Sequence, residues 1–183
     1  MAFARREQVE KQPVDLAALT REALRLLRAS IPATIRIVEE VDDVPPVLGD
    51  PGQLHQVIVN IATNGAQDID GRIGQLTVSL KESRRRDTVT NQKLVSLSIR
   101  DTGIGMDAHT MSRIFDPFFT TKPVGEGTGL GLSVVHGIVS DHSGLIEVES
   151  HPGEGTQFQI YLPTLRTAMS VATDALTRPL KAV

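Results

Sequence analysis

Two asparagines, Asn60 and Asn64, stand four residues apart in a segment of helical apolar periodicity, so both amides lie on one face, one turn apart. An amide oxygen is a hard, neutral donor of the kind Mg²⁺ accepts beside its waters. Asp101-Thr-Gly-Ile-Gly105 follows a β-forming run. A carboxylate at a strand end can accept a hydrogen bond from an exocyclic amine, and the glycines let backbone approach a flat ring. Gly125-Glu-Gly-Thr-Gly-Leu-Gly131 opens a helical pattern, which makes a cradle of backbone N–H groups for an anion. It is not a P-loop, because GK[ST] is absent, and no strand immediately precedes it as a dinucleotide fingerprint requires. Gly153-Glu-Gly-Thr-Gln-Phe158 leads a glycine turn into a strand with Thr156 at its mouth. Each segment has a plain alternative when taken alone: capping asparagines, a common turn, a bare glycine-rich loop, a hairpin.

The elements that must hold these residues follow from periodicity. Residues 1–13 are charged and end in Pro13, so they read as a linker or helix end. Leu16, Leu19, Ala23, Leu26 and Leu27 recur at helical steps up to Pro32. Thr34–Glu40 reads as a strand and Val44–Pro46 as a loop. Asp50-Pro51-Gly52-Gln53 announces the asparagine helix, with Asp50 as N-cap, Pro51 at the first position and Gln53 completing a capping box. That helix should bury Leu54, Val57, Ile58, Ile61 and Ala62 and end near Gly71. Strands are expected at 75–80 and 94–100, with an exposed loop between them that carries Arg84–Arg86. Thr110–Ile114 reads as one helical turn, and 115–129 as a Pro/Gly-rich loop of functional length holding Phe115, Phe118 and Phe119. A helix at 130–140, strands at 146–150 and 156–162, and a tail from 164 complete an α+β two-layer sandwich.

Composition narrows the rest. The chain has 183 residues, a formal net charge of −3, no cysteine and 3% aromatics. This is an ordinary globular balance that excludes disulfide frameworks, thiolate chemistry and nucleic-acid binding by bulk charge. No apolar run approaches the roughly 20 residues of a membrane span, and the start lacks the apolar core of a secretory signal. A cytoplasmic domain is the expectation.

Taken in order, the segments resemble the catalytic, ATP-binding domain of two-component sensor histidine kinases, within the superfamily of gyrase, Hsp90 and MutL ATPases. Asn60–Asn64 looks like the N box, Asp101–Gly105 the G1 box, Phe115–Phe119 the F box, and Gly127–Gly131 the G2 box, with Gly153–Thr156 as the later glycine-threonine element. The resemblance runs from about Val14 to Pro163 and implies a Bergerat-type fold, a mixed sheet with helices on one face and a mobile lid over ATP. It implies that Asn64 ligates Mg²⁺ and that Asn60 lines the phosphate side. It implies that Asp101 receives the adenine amine, supported by Thr156 through water, while Gly103 and Gly105 let backbone close on the base. Gly127, Thr128, Gly129, Leu130, Gly131 and Leu132 should border the phosphates, with Thr121 and Lys122 in the lid and Lys122 within reach of the terminal phosphate. The three phenylalanines are expected to divide between lid anchoring, partner docking and core. One departure is Asp68, an acid where the family pattern has alanine and where it would face nucleotide.

The family's phosphate acceptor is a histidine followed by an acid, and none of the five histidines here is so followed. The resemblance therefore implies a monomeric piece that acts on the dimerisation domain of the same kinase, and through it on a response regulator. The rival readings are an ATPase switch, a non-catalytic nucleotide-binding module and an anti-sigma-type serine kinase. An ATPase switch needs a carboxylate one turn before the metal asparagine, where this chain has Asn60.

Overall fold

The computed structural model describes residues 11–69, 71–123 and 127–165. Helix α1 (Leu16–Ser30) follows a short strand, β1 (Gln12–Val14). Asp15 caps α1 by accepting from Ala18 N–H at 2.9 Å, and Leu16, Ala17, Thr20, Ala23, Leu24 and Leu27 form its buried stripe. Leu26, expected inside, is 59% exposed, because it falls off that stripe. Strand β2 (Ile35–Val41) comes next, then β3 (Val47–Gly49) and helix α2 (Pro51–Asp68). All five apolar residues assigned to the inner face of α2 are buried, and its Asp50 cap accepts from Gln53 N–H at 3.0 Å. The reciprocal half of the capping box is different: Asp50 N–H donates to His142 Nε2, not to Gln53. The helix ends at Asp68, short of the left-handed Gly71 (φ 67°).

Strands β4 (Gly74–Arg86) and β5 (Lys93–Asp101) are longer than their apolar cores suggest. The expected loop shrinks to a turn at 87–92, where Asp87 Oδ1 accepts from the N–H groups of Val89 and Thr90. Cross-strand pairing thus carries polar residues such as Glu82 (opposite Val95) and Arg86 (opposite Lys93) into the ladder, on either side of a bulge between them. After a single-turn helix α3 (Ala108–Met111), two residues earlier than expected, come α4 (Gly131–Asp141), β6 (Leu145–His151) and β7 (Gly155–Pro163).

Five strands form one mixed sheet in the order β2-β4-β5-β7-β6, with β2 parallel to β4 and the other pairs antiparallel. In register, Val78 faces Ile99, Leu80 faces Leu97, and these meet Phe158 and Ile160 of β7. This apolar face packs against the helices, and alternate positions such as Thr77, Ser79, Gln157 and Gln159 form the other face. The α+β two-layer architecture is as expected. β1 and β3 pair antiparallel in a small second sheet, so Gln12 and Pro13, read as linker, are structured. Three residues are too few for periodicity to reveal such strands. Most of the N-terminal linker and the tail lie outside the described residues.

Candidate nucleotide-binding site

A cavity of about 460 Å³ lies between α2, the start of α4 and the segment that joins α3 to α4. One stripe of α2 supplies Asn60, Thr63, Asn64, Gln67 and Asp68 to its wall. The 3.6-residue period and the apolar residues on the opposite side of α2 leave this face for the cavity. Opposite stand Thr121, Lys122, Gly127, Thr128, Gly129, Gly131 and Leu132. Gly125 lies outside the described residues.

At one end, Asn60 Nδ2 donates to Gly131 O at 3.4 Å, and the Asn64 amide faces the same turn, 3.8 Å from where a Cβ on Gly131 would be. Leu130 precedes α4 without a side-chain cap, and the N–H groups of Gly131, Leu132 and Ser133 meet no acceptor among the described residues. Free amides and the helix dipole favour an anion here. Among the described residues no cluster of three or more His, Cys, Asp or Glu could hold a metal. Any cation would therefore depend on the Asn64 amide oxygen, water and the ligand's own oxygens. That donor set suits a hard cation of the Mg²⁺ type, which keeps most of its water.

The other end is built by strand termini. Asp101 closes β5 and is 3% exposed. Its Oδ1 accepts from Gly103 N–H at 2.8 Å and Thr156 N–H at 3.2 Å, while no other described residue bonds Oδ2. Burial pushes its carboxyl up to about 6 against those two donors, and the charge of Asp68 adds to the rise. Gly103 and Gly105 are required by close approach. A Cβ on Gly103 would lie 2.8 Å from the Asp68 carbonyl carbon, and one on Gly105 (φ 65°) 2.0 Å from His151 O. Asp101, Gly103, Gly105 and Thr156 adjoin the cavity through its lining residues Asp68, Met106 and Phe158 rather than lining it themselves.

Thr156 contacts Asp101 directly through its backbone; its hydroxyl pairs with Ser150 Oγ at 3.0 Å. Ser150, missed in the sequence, also accepts from Met106 N–H at 2.8 Å and donates to Gly155 O at 3.1 Å, which ties the turn after β5 to the β6–β7 hairpin. The signal for it was the hairpin register, in which Ser150 faces Thr156. Lys122 Nζ donates to Gln67 Oε1 at the Asp101 end of α2, away from Asn60. Burial raises the Asp68 carboxyl, opposed by the Lys122 charge. The three phenylalanines take different environments. Phe115 packs on the core with its ring 5.0 Å from His136, Phe119 lines the cavity beneath Arg113, and Phe118 is 74% exposed.

A sequence model of the family described as "Histidine kinase-, DNA gyrase B-, and HSP90-like ATPase" matches residues 49–166, from the end of β3 through β7. The chain belongs to this ATPase family. Among curated relatives, the sensor kinase CckA of Brucella abortus (strain 2308) is 37% identical over 173 residues, 90% of this chain and 18% of that protein. Sensor histidine kinase ZraS of Escherichia coli (strain K12) is 39% identical over 156 residues, 83% of this chain and 31% of that protein. The chain thus spans less than a third of the length of either. Among solved structures, the mycobacterial sensor histidine kinase MprB superposes with a TM-score of 0.71 at 25% identity, covering 86% of this chain and 99% of that one. Full-length ShkA in complex with AMPPNP gives 0.70 at 26% identity, covering 87% and 33%. The catalytic domain thus matched in this ATPase family is the ATP-binding portion of sensor histidine kinases. No described helix is long and apolar enough to cross a membrane.

Proposed function

We propose that residues 14–163 form the catalytic domain of a cytoplasmic sensor histidine kinase. It presents the γ-phosphate of Mg-ATP to a histidine on a separate dimerisation helix pair, for relay to a response regulator. The observation that carries this reading is the placing of Asn60 and Asn64 opposite the uncapped start of α4 across one cavity, with the buried Asp101 carboxylate adjoining it behind Asp68, Met106 and Phe158. Amide donors and N–H groups at one end suit a polyphosphate; Asp101 at the other suits an exocyclic amine.

In this assignment Asp101 Oδ2 accepts the adenine amine, while Gly103 and Thr156 hold the carboxylate in place through Oδ1. Gly127, Thr128, Gly129, Leu130, Gly131 and Leu132 border the triphosphate. The N–H groups of Gly131 and Leu132 face its charge, Asn60 orients the start of α4, and Asn64 holds Mg²⁺. Bound Mg²⁺ would neutralise phosphate charge as transfer proceeds. Thr121 and Lys122 exclude water from above, and Lys122 must leave Gln67 to reach a phosphate. Asn60 cannot take a proton from water at neutral pH, so hydrolysis is disfavoured and the phosphoryl group awaits a partner histidine.

Calorimetric titration of Mg-ATP into the chain, with phosphate release followed in the same sample, tests this. Binding with negligible turnover is expected, as is phosphorylation of a histidine only when a dimerisation domain is added. Steady hydrolysis by the chain alone would refute the kinase reading in favour of an ATPase switch.

A further inference from the structure

His142 follows α4 directly and is 5% exposed, yet nothing in the proposed transfer uses it. Both ring nitrogens are engaged. Nδ1 donates to Ile138 O at 2.7 Å, and Nε2 accepts from Asp50 N–H at 3.0 Å. A neutral ring with its proton on Nδ1 satisfies both bonds at once. Gly49 makes the room, because a Cβ there would fall 2.7 Å from Cδ2 and 2.9 Å from Nε2 of the ring. The imidazole therefore bolts the end of α4 to the N-cap of α2.

The two helices meet again at the start of α4, where Asn60 Nδ2, midway along α2, reaches Gly131 O. From Asp50 to Asn60 is about 15 Å of helix, and from Gly131 to His142 about 16 Å, so the two joints sit at matched spans along an antiparallel pair. The joint at Asn60 is long, at 3.4 Å, and borders the cavity; the one at His142 is shorter, at 3.0 Å, with the ring itself buried. The axial position of α4, and with it the place of its free first-turn N–H groups opposite Asn60 and Asn64, is thus set from the far end.

We propose that His142 is a positioning residue for the phosphate end of the site, resting on the nucleotide reading above: it fixes α4 along α2 so that the N–H groups of Gly131 and Leu132 stand across from Asn64. Asp101 belongs to β5, outside this clamp, so the base end does not depend on it.

The test separates the two ends. Mg-ATP is titrated calorimetrically and adenosine by NMR into wild type, H142L and H142Q, each checked by thermal melting. H142L should weaken Mg-ATP by about ten-fold or more while adenosine stays within about two-fold, since small misplacements of charged ligands are costly. H142Q, whose amide oxygen can replace Nε2 as acceptor, should recover most of the loss. If H142L does not fold, G49A serves instead, because its methyl group displaces the ring and should give the same split. Equal weakening of both ligands, unchanged Mg-ATP affinity, or no rescue by Gln would overturn the proposal. Wild-type protein that binds neither ligand would refute the nucleotide reading itself.

Discussion

Replacing Asp101 by Asn exchanges one carboxylate oxygen for an amino group and leaves the shape intact. The amide oxygen can still accept from Gly103 and Thr156, so the turn is kept. The amino group then takes the place of Oδ2 and faces another donor, the adenine amine. Loss of a hydrogen bond to a charged group costs about 1.5–3 kcal/mol, or about 10- to 150-fold in Mg-ATP affinity. Stability should move the other way. Burial lifts the Asp101 carboxyl from its usual 3.8 to about 6, so the folded state binds this proton more tightly than the unfolded state. Between pH ~4 and ~6 the folded chain then carries the extra proton, and stability falls as pH rises through that window. Above it the ionised, desolvated carboxylate costs up to about 3 kcal/mol, at roughly 1.4 kcal/mol per pH unit. Asn has no such titration. D101N should therefore resist urea better than wild type at pH 7.5, match it near pH 4, and bind Mg-ATP poorly at both. A variant that is less stable at pH 7.5, or that binds Mg-ATP like wild type, would refute the assignment of Asp101 as a buried, functionally retained acid.

Wild-type affinity for Mg-ATP should fall as pH drops below about 6, where Asp101 takes a proton and Oδ2 ceases to be a free acceptor; calorimetry across pH 5–8 reads this, and a flat profile would contradict it. D68A removes the like charge that adds to the burial-driven rise of Asp101, so the acid limb of that profile should shift to lower pH, while Mg-ATP affinity at pH 7, where Asp101 is already largely ionised, should change by less than about two-fold. N64A should weaken Mg-ATP by about ten-fold yet change metal-free ATP binding little, as measured with and without a chelator. G105A places a methyl group 2.0 Å from His151 O at φ 65° and should destabilise the fold by about 2 kcal/mol or more, seen as a lower melting temperature.

Sequence periodicity carried the larger elements. α1, α2, α4 and the five sheet strands were legible because each buries an apolar stripe at its own period, and the five inner residues of α2 are all in the core. The elements that escaped are those without a stripe: β1 and β3, of three residues each, and the polar extension of the β4–β5 hairpin. Backbone pairing holds these, and it leaves no trace in side-chain hydrophobicity.

By itself the sequence determined which chemical groups are available and their local spacing: two amides one turn apart, an acid at a strand end, a glycine run that opens a helix. Only the tertiary structure decided which of them meet. It put Lys122 on Gln67 rather than beside Asn60, joined Thr156 to Asp101 through the backbone, and brought in Ser150 and His142 from segments that are remote from the sites they support. The physical reason is that helix periodicity is a property of neighbours along the chain. The second half of the Asp50 cap, by contrast, comes from a side chain 92 residues away, which only the packing of α4 against α2 could deliver.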